Sequence, residues 1–315
     1  MKSTIDHAFT STNLNSISKE PTYSGVSSFF RRKYTKDLSG VDVAISGIPL
    51  DLAVSHRPGT RFGPGAIRKA SSIPACFDKQ WPWTINPFEI LAAIDYGDCD
   101  FDPGRPETVT DAIYKHAKTI IDANVFMLTL GGDHYISYPL IKAHAEAHGP
   151  LSLIHFDAHS DTFAEDEKRL YHGSMFYHAA KEGLILPDRS VQIGLRTHNE
   201  ETHGFNIINA DKAISNSGEE IAKQIKEIVG SNKAYLTFDI DCLDPAYAPG
   251  TGTPVIGGLT SHKALKIIRE LPGVNLIGID VVEVSPPYDV SEITALAAAT
   301  IAYELLCLYA ERKFL

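Results

Sequence analysis

Two carboxylates and an imidazole, each two residues from the next, form the chemical centre of this sequence: Asp157, His159 and Asp161 within His155-Phe156-Asp157-Ala158-His159-Ser160-Asp161. They follow the apolar run Leu151-Ser152-Leu153-Ile154, which reads as a buried strand. Side chains alternate faces along a strand, so positions i, i+2 and i+4 point to one side. On that reading the strand end presents all three groups to one point. Two carboxylates so close repel each other unless a cation lies between them. The pattern returns where 233–238, another strand-like run, ends in Asp239-Ile240-Asp241. A third piece, Gly131-Gly132-Asp133-His134, closes the apolar run 125–130. Three strands thus end in metal-type ligands, and in open α/β sheets the functional crevice lies at the carboxyl ends of the strands. Oxygen-rich ligation with some imidazole suits Mn2+ or a similar divalent ion better than the thiolate-seeking metals.

The elements that must position these groups can be read from periodicity. Short apolar runs at 41–46, 90–95, 125–130, 151–156, 190–195, 234–238 and 276–281 alternate with helical patterns at 107–123, 137–148, 218–229, 261–270 and 291–309. Fully apolar strands alternating with helices indicate an α/β fold with a mostly parallel central sheet covered on both faces. Pro and Gly concentrate in two loops, 57–65 and 244–254, the second directly after the Asp239/Asp241 pair. Such loops can be rigid and can bring backbone close to a ligand. Neither matches a P-loop or a dinucleotide fingerprint.

The 315 residues, 43% of them hydrophobic, suffice for one large α/β domain. Residues 1–40 differ. They are rich in Ser, Thr and Asn, carry the basic patch Arg31-Arg32-Lys33, and read as an arm that is loosely ordered or packed on a neighbouring subunit; the catalytic domain is expected over 41–315. A formal net charge of −10 argues against a nucleic-acid binder. The four cysteines, Cys76, Cys99, Cys242 and Cys307, are scattered without zinc spacing and read as free thiols of a reducing compartment. The N-terminal stretch does not read as a secretory leader, which points to the cytoplasm. The apolar stretch 293–310 contains Thr294, Thr300 and Glu304 and reads as a buried helix rather than a membrane span.

Five ordered motifs together resemble the ureohydrolase (arginase/agmatinase) family: Gly131-Gly132-Asp133-His134; His155 through Asp161 as written above; Thr237-Phe238-Asp239-Ile240-Asp241-Cys242-Leu243-Asp244-Pro245; Ala248-Pro249-Gly250-Thr251-Gly252-Thr253-Pro254; and Gly278-Ile279-Asp280-Val281-Val282-Glu283-Val284. The similarity runs from about Val41 to the C-terminus. It implies a three-layer α-β-α fold of the arginase/deacetylase type and two Mn2+ ions per subunit. His134, Asp157, Asp161 and Asp239 would bind one ion, and Asp157, His159, Asp239 and Asp241 the other, with Asp157 and Asp239 bridging. Four carboxylates balance two divalent cations in formal charge. The resemblance makes Asp161 the proton acceptor, His172 a proton-shuttle or substrate-side histidine, and Glu283 the carboxylate that holds a guanidinium, for which its bidentate geometry is suited. His116, His144 and His148 read as surface residues, and His178 and His56 stay undecided. The family also implies a homo-oligomer, trimer or hexamer.

Within the family, the resemblance runs closest to the bacterial members that hydrolyse agmatine to putrescine and urea by attack of a hydroxide bridging the two ions. Family members acting on arginine carry an Asn two places past the equivalent of Asp161; here that position is Phe163. The following segment carries Glu165, Asp166 and Glu167, an acidic rim suited to a small cationic guanidine with an amine at its far end. The alternatives are a sibling enzyme acting on a guanidino acid such as guanidinobutyrate, for which Arg61 or Arg196 would have to meet the carboxylate, and a non-catalytic paralogue. A single-zinc deacetylase is disfavoured because His134, Asp161 and Asp241 would serve a second ion.

Overall fold

The computed structural model describes residues 5–17, 19–164 and 170–312. Nine strands form one sheet: β1 (Lys33–Tyr34), β2 (Val43–Ile48), β3 (Ala93–Asp98), β4 (Phe126–Gly131), β5 (Ser152–Phe156), β6 (Val191–Ile193), β7 (Asn206–Ile208), β8 (Lys233–Asp239) and β9 (Asn275–Val282). Their spatial order is β1-β3-β2-β4-β9-β8-β5-β6-β7, and every pairing is parallel. A parallel neighbour must be reached by a crossover, which helices supply for most of the pairs, while the segment 194–205 joins β6 to β7 without one.

The central strands bury residues of both parities, as a sheet covered on both faces requires. Phe126, Leu128 and Leu130 of β4, Ile154 and Phe156 of β5, and Leu236 and Phe238 of β8 enter one core, shared with helices Gly63–Ala70, Gly218–Val229, Ser261–Arg269 and Ile293–Glu311. Met127, Leu153 and Tyr235 enter the other, shared with helices Pro106–Ile121, Ser137–His148 and Met175–Lys181. The result is the three-layer α-β-α architecture. Helix Gly218–Val229 shows how local sequence builds it: Ser217 and Glu220 form a capping box, and Ile221, Ala222, Ile225 and Val229 make one buried stripe. Helix Ile293–Glu311 is apolar and long enough to cross a membrane, yet its side chains are mostly buried within this fold.

Several elements differ from the periodicity reading. The first two expected strands lie two to three residues later, at Val43–Ile48 and Ala93–Asp98. Gly63–Ala70 is a helix where Pro/Gly content suggested only a loop; Pro64 stands in its first turn, where a missing N–H costs nothing. Helix Met175–Lys181 and strands β1 and β7 are too short for their periodicity to register.

The segment read as an arm meets its own chain in its described part. Phe29 and Phe30 are buried, β1 pairs with β3, and the Phe29 amide donates to Asp95 Oδ2 at 2.8 Å. Asp95 is fully buried and paired with Arg68, whose Nε lies 2.8 Å away.

Candidate metal centre

Four adjacent strands, β4, β9, β8 and β5, carry the chemistry at their carboxyl ends. His134 follows β4, Glu283 follows β9, Asp239 ends β8 with Asp241 just beyond, and Asp157 to Asp161 follow β5. Sequence-distant motifs thus meet because their strands are neighbours in the sheet.

The means of convergence differs from simple strand alternation. β5 stops at Phe156, so Asp157, His159 and Asp161 lie in the loop after it. That loop is shaped by backbone contacts: the Asp157 amide donates to Ile193 O, the His159 amide to Asp157 Oδ1 at 2.6 Å, and Asp161 adopts a left-handed φ of 52°. Asp241 lies in a short 3-10 turn, Ile240–Cys242, and its amide donates to Asp239 Oδ1 at 2.8 Å. A turn after each strand aims these groups because extended backbone would run past the crevice.

His134 Nδ1 lies 3.1 Å from Asp157 Oδ2, 3.0 Å from Asp161 Oδ2 and 3.1 Å from Asp239 Oδ2. His159 Nδ1 lies 3.3 Å from Asp157 Oδ1 and 3.1 Å from Asp241 Oδ2. Asp157 therefore turns one oxygen to each histidine. The other face of His134 is fixed: Thr237 Oγ1 donates to Asp280 Oδ1, so it must accept from His134 Nε2, 2.8 Å away. Asp280 is fully buried and also accepts from Ser137 and Tyr235. With one proton on Nε2, His134 turns Nδ1 toward three carboxylates; against its burial they push the imidazole well above its usual range, and unless Nδ1 is itself protonated its lone pair faces theirs. Lone pairs so arranged repel unless a cation lies among them. The donor set, imidazole and carboxylate with a hydrogen-bonded outer layer, fits a metal. His134, His155, Asp157 and Asp161 form one potential ligand group, and Asp157, His159 and Asp241 another.

The electrostatics show the same competition. Burial and the neighbouring Asp241 and Asp157 push the Asp239 carboxyl well above its usual range. Burial disfavours charge on His159, but Asp241 and Asp157 push the imidazole up to about 12. Burial also works against Asp157, yet His155, His134 and His159 hold its carboxyl well below the usual range.

Glu283 comes next in the sheet. It has a φ of 66°, and its Oε1 accepts from the His134 amide at 2.7 Å. Its Oε2 is buried without a hydrogen-bond partner. His172 Nδ1 lies 3.5 Å from Oε1. Burial lowers the His172 pKa, but Glu283 outweighs it and pushes it up to about 9. A cleft of about 220 Å³ opens above, lined by Ser55, His159, Asp161, Phe163, Tyr171, His172, Gly173, Asp239 and Thr253. That is small beside the ~300–1,000 Å³ of typical ligand pockets, and it suits a compact substrate.

The structure thus brings His134, Asp157, His159, Asp161, His172, Asp239, Asp241 and Glu283 into one neighbourhood. Glu165, Asp166 and Glu167, the expected acidic rim, lie outside the described residues. Arg61 pairs with Asp51. Arg196 is spent on carbonyls, including Asp241 O at 2.6 Å and Val255 O at 2.7 Å. His144 is a correction: it is buried, with Nδ1 2.8 Å from Leu140 O, because its helix face packs on Tyr235. His116 and His148 are half-buried, and His56 is exposed. Sequence reasoning missed His155, Gln192, Thr237 and Asp280. His155 carried a signal, since strand alternation read from sequence would place it on one face with Asp157, two residues on.

Residues 41–307 match the arginase family. The agmatinase of Chromobacterium violaceum is 54% identical over 310 residues, covering 98% of this chain and 96% of that one. The agmatinase of Proteus mirabilis is 50% identical, covering 87% and 90%. The crystal structure of a hypothetical agmatinase from Burkholderia thailandensis superposes with a TM-score of 0.96 at 56% identity, covering 98% and 99%. The proclavaminate amidino hydrolase of Streptomyces clavuligerus follows the same fold, with a TM-score of 0.88 at 38% identity, covering 92% and 99%. The chain belongs to the arginase family.

Proposed function

We propose that this chain is a binuclear manganese amidinohydrolase that converts agmatine and water into putrescine and urea. The reading is carried by the unpartnered, buried Oε2 of Glu283 beside a cluster of imidazoles and carboxylates. A buried carboxylate oxygen with no donor is costly unless a donor arrives, and a guanidinium N–H is a suitable one.

His134, Asp157, Asp161 and Asp239 would hold one ion, and Asp157, His159, Asp239 and Asp241 the other. Such a pair makes hydroxide available near neutral pH by lowering the pKa of water. Glu283 accepts guanidinium N–H groups through Oε2 and holds the central carbon toward the cluster. Asp161, at the cleft wall, accepts the proton of the attacking water and delivers it to the leaving amine as the C–N bond breaks. His172, beside Glu283, serves as the proton shuttle between the cleft and solvent. Phe163 and Tyr171 wall the cleft.

Selectivity follows from the lining. Among the described residues that line the cleft there is no Lys or Arg. Arg61 and Arg196 are engaged elsewhere. Against these residues an α-carboxylate would lose its water without meeting a Lys or Arg, which disfavours arginine and guanidino acids. Agmatine carries an ammonium-ended chain instead. The relatives named agmatinase support this choice. We place the enzyme in the cytoplasm as a homo-oligomer, in keeping with the buried free thiols Cys99, Cys242 and Cys307 and with the family resemblance.

The test is urea release by the Mn2+-reconstituted protein from agmatine, arginine and guanidinobutyrate side by side. Urea from agmatine alone is expected. Comparable kcat/KM on arginine would overturn the selectivity, and no urea from any guanidine would overturn the activity.

A further inference from the structure

Behind the cluster, His155 stands on β5, two residues before Asp157. Its register partner across the β5–β6 pairing is Gln192. Both side chains are fully or almost fully buried. Gln192 Nε2 lies 2.6 Å from Ser160 O and 3.0 Å from His155 Nδ1. A carbonyl oxygen only accepts, so the amide nitrogen, not its oxygen, must face Ser160. An amide nitrogen only donates, so His155 Nδ1 must accept its second hydrogen. The ring proton of His155 therefore sits on Nε2, which lies 2.6 Å from Asp157 Oδ2. That oxygen is the one facing His134 Nδ1 at 3.1 Å, whereas Oδ1 faces His159. The ring is also packed edge-on against His134 and Phe176, at centroid distances of 5.2 and 4.6 Å.

We propose that His155 and Gln192 are positioning residues that make the two cation positions unequal, strengthening the one formed by His134, Asp157 Oδ2 and Asp161. His155 lies close enough to the cluster to pass for a ligand. Gln192 rules that out, because it leaves the Nε2 lone pair carrying a proton. The Nε2–H instead donates to Asp157 Oδ2 and fixes where that oxygen points. Gln192 acts twice, since its other hydrogen holds Ser160 O, next to Asp161. Both arms reach the His134 side of the cluster. Neither touches Asp241 or the His159 ring. Outer-layer partners of this kind are typically worth ~10–100-fold in metal affinity.

The inference rests on the proposed metal reading, so the parent protein is titrated beside the variants. The experiment is Mn2+ titration of metal-stripped full-length protein, with bound ion counted after equilibrium dialysis and free ion read by EPR. The variant His155→Phe keeps the ring packing and removes the N–H. We expect two Mn2+ per parent chain, and in His155→Phe one ion about 10–100-fold weaker with the other changed less than ~3-fold. The melting temperature of the stripped variant should stay near that of the stripped parent. Gln192→Met should give the same one-sided loss, smaller in size. It carries the test alone if His155→Phe does not fold. Equal weakening of both ions, or no weakening in Gln192→Met, overturns the proposal. A parent that binds no Mn2+ overturns the metal reading itself and this inference with it.

Discussion

Replacing Glu283 with Gln removes a single charge at the point where the site meets its substrate, and the surroundings determine what the new amide can do. The His134 N–H donates to Glu283 Oε1 at 2.7 Å, and an amide can satisfy that donor only with its oxygen. The Gln NH2 is then forced into the place of Oε2, the buried and unpartnered oxygen. Two donors, the NH2 and a guanidinium N–H, would face each other where an acceptor and a donor met before. Truncating one partner of a desolvated charge pair costs ~2–5 kcal/mol, and the donor–donor contact places this case in the upper part of that range. At about 1.4 kcal/mol per decade, a loss of about 3–5 kcal/mol lowers kcat/KM for agmatine by about 100-fold to several thousand-fold. No metal-facing atom changes, so Mn2+ content should stay at the parental level. The assay is initial-rate urea release across agmatine concentrations, with metal counted by mass spectrometry on the same samples. A kcat/KM within about fivefold of the parent would refute the guanidinium role. Loss of metal together with activity would show that Glu283 works through the His134 backbone instead.

Asp239→Asn should remove bound Mn2+ and urea release together, because Asp239 faces His134 directly and closes the turn that carries Asp241; retained stoichiometry would contradict its ligand role. Burial and neighbouring carboxylates raise the Asp239 pKa, so protons compete for the site in acid, and the parent should release Mn2+ on dialysis at pH 5 but keep it at pH 8. In metal-stripped protein, His172 is raised to about 9 by Glu283 against its burial. Its folded value is above the unfolded one, so its stabilising effect is fully present below about pH 6.5 and fades as pH rises through about 9. The melting temperature of His172→Asn should thus fall below that of the parent at pH 6, and the gap should close by pH 10; a constant gap would contradict the pairing. Arg68→Leu strands the buried Asp95 and should cost ~3–5 kcal/mol in urea unfolding, with an unchanged midpoint counting against the pair.

The motifs that carry the candidate ligands were legible in the sequence because each is short and local. The Asp157/His159/Asp161 triplet, the Asp239/Asp241 pair and His134 each follow an apolar run, and apolar runs of strand length alternating with helical patterns indicate buried parallel strands. Glu283 and His172 were reached through the family resemblance, since an isolated carboxylate and an isolated imidazole have no local signature. His155 was overlooked as a participant because its partner, Gln192, is 37 residues away and meets it only through strand register. Arg68 and Asp95 were invisible because a helix packed on a strand, 27 residues apart in sequence, brings them together.

By itself the sequence determined the strand-and-helix alternation, the sheet class and the residue types able to hold cations. It did not determine the order β4-β9-β8-β5, which places motifs from 131 to 283 side by side. It also did not determine the way the ligands are aimed. Alternation along a strand suggested one mechanism, but the chain leaves β-structure at Phe156 and uses a left-handed residue at Asp161 and a tight turn at Asp241. Local patterns encode which face of an element is apolar, because burial acts on every residue of that face. The direction of a loop carboxylate depends on hydrogen bonds to distant strands, such as the one the Asp157 amide donates to Ile193 O, and those exist only once the sheet has assembled.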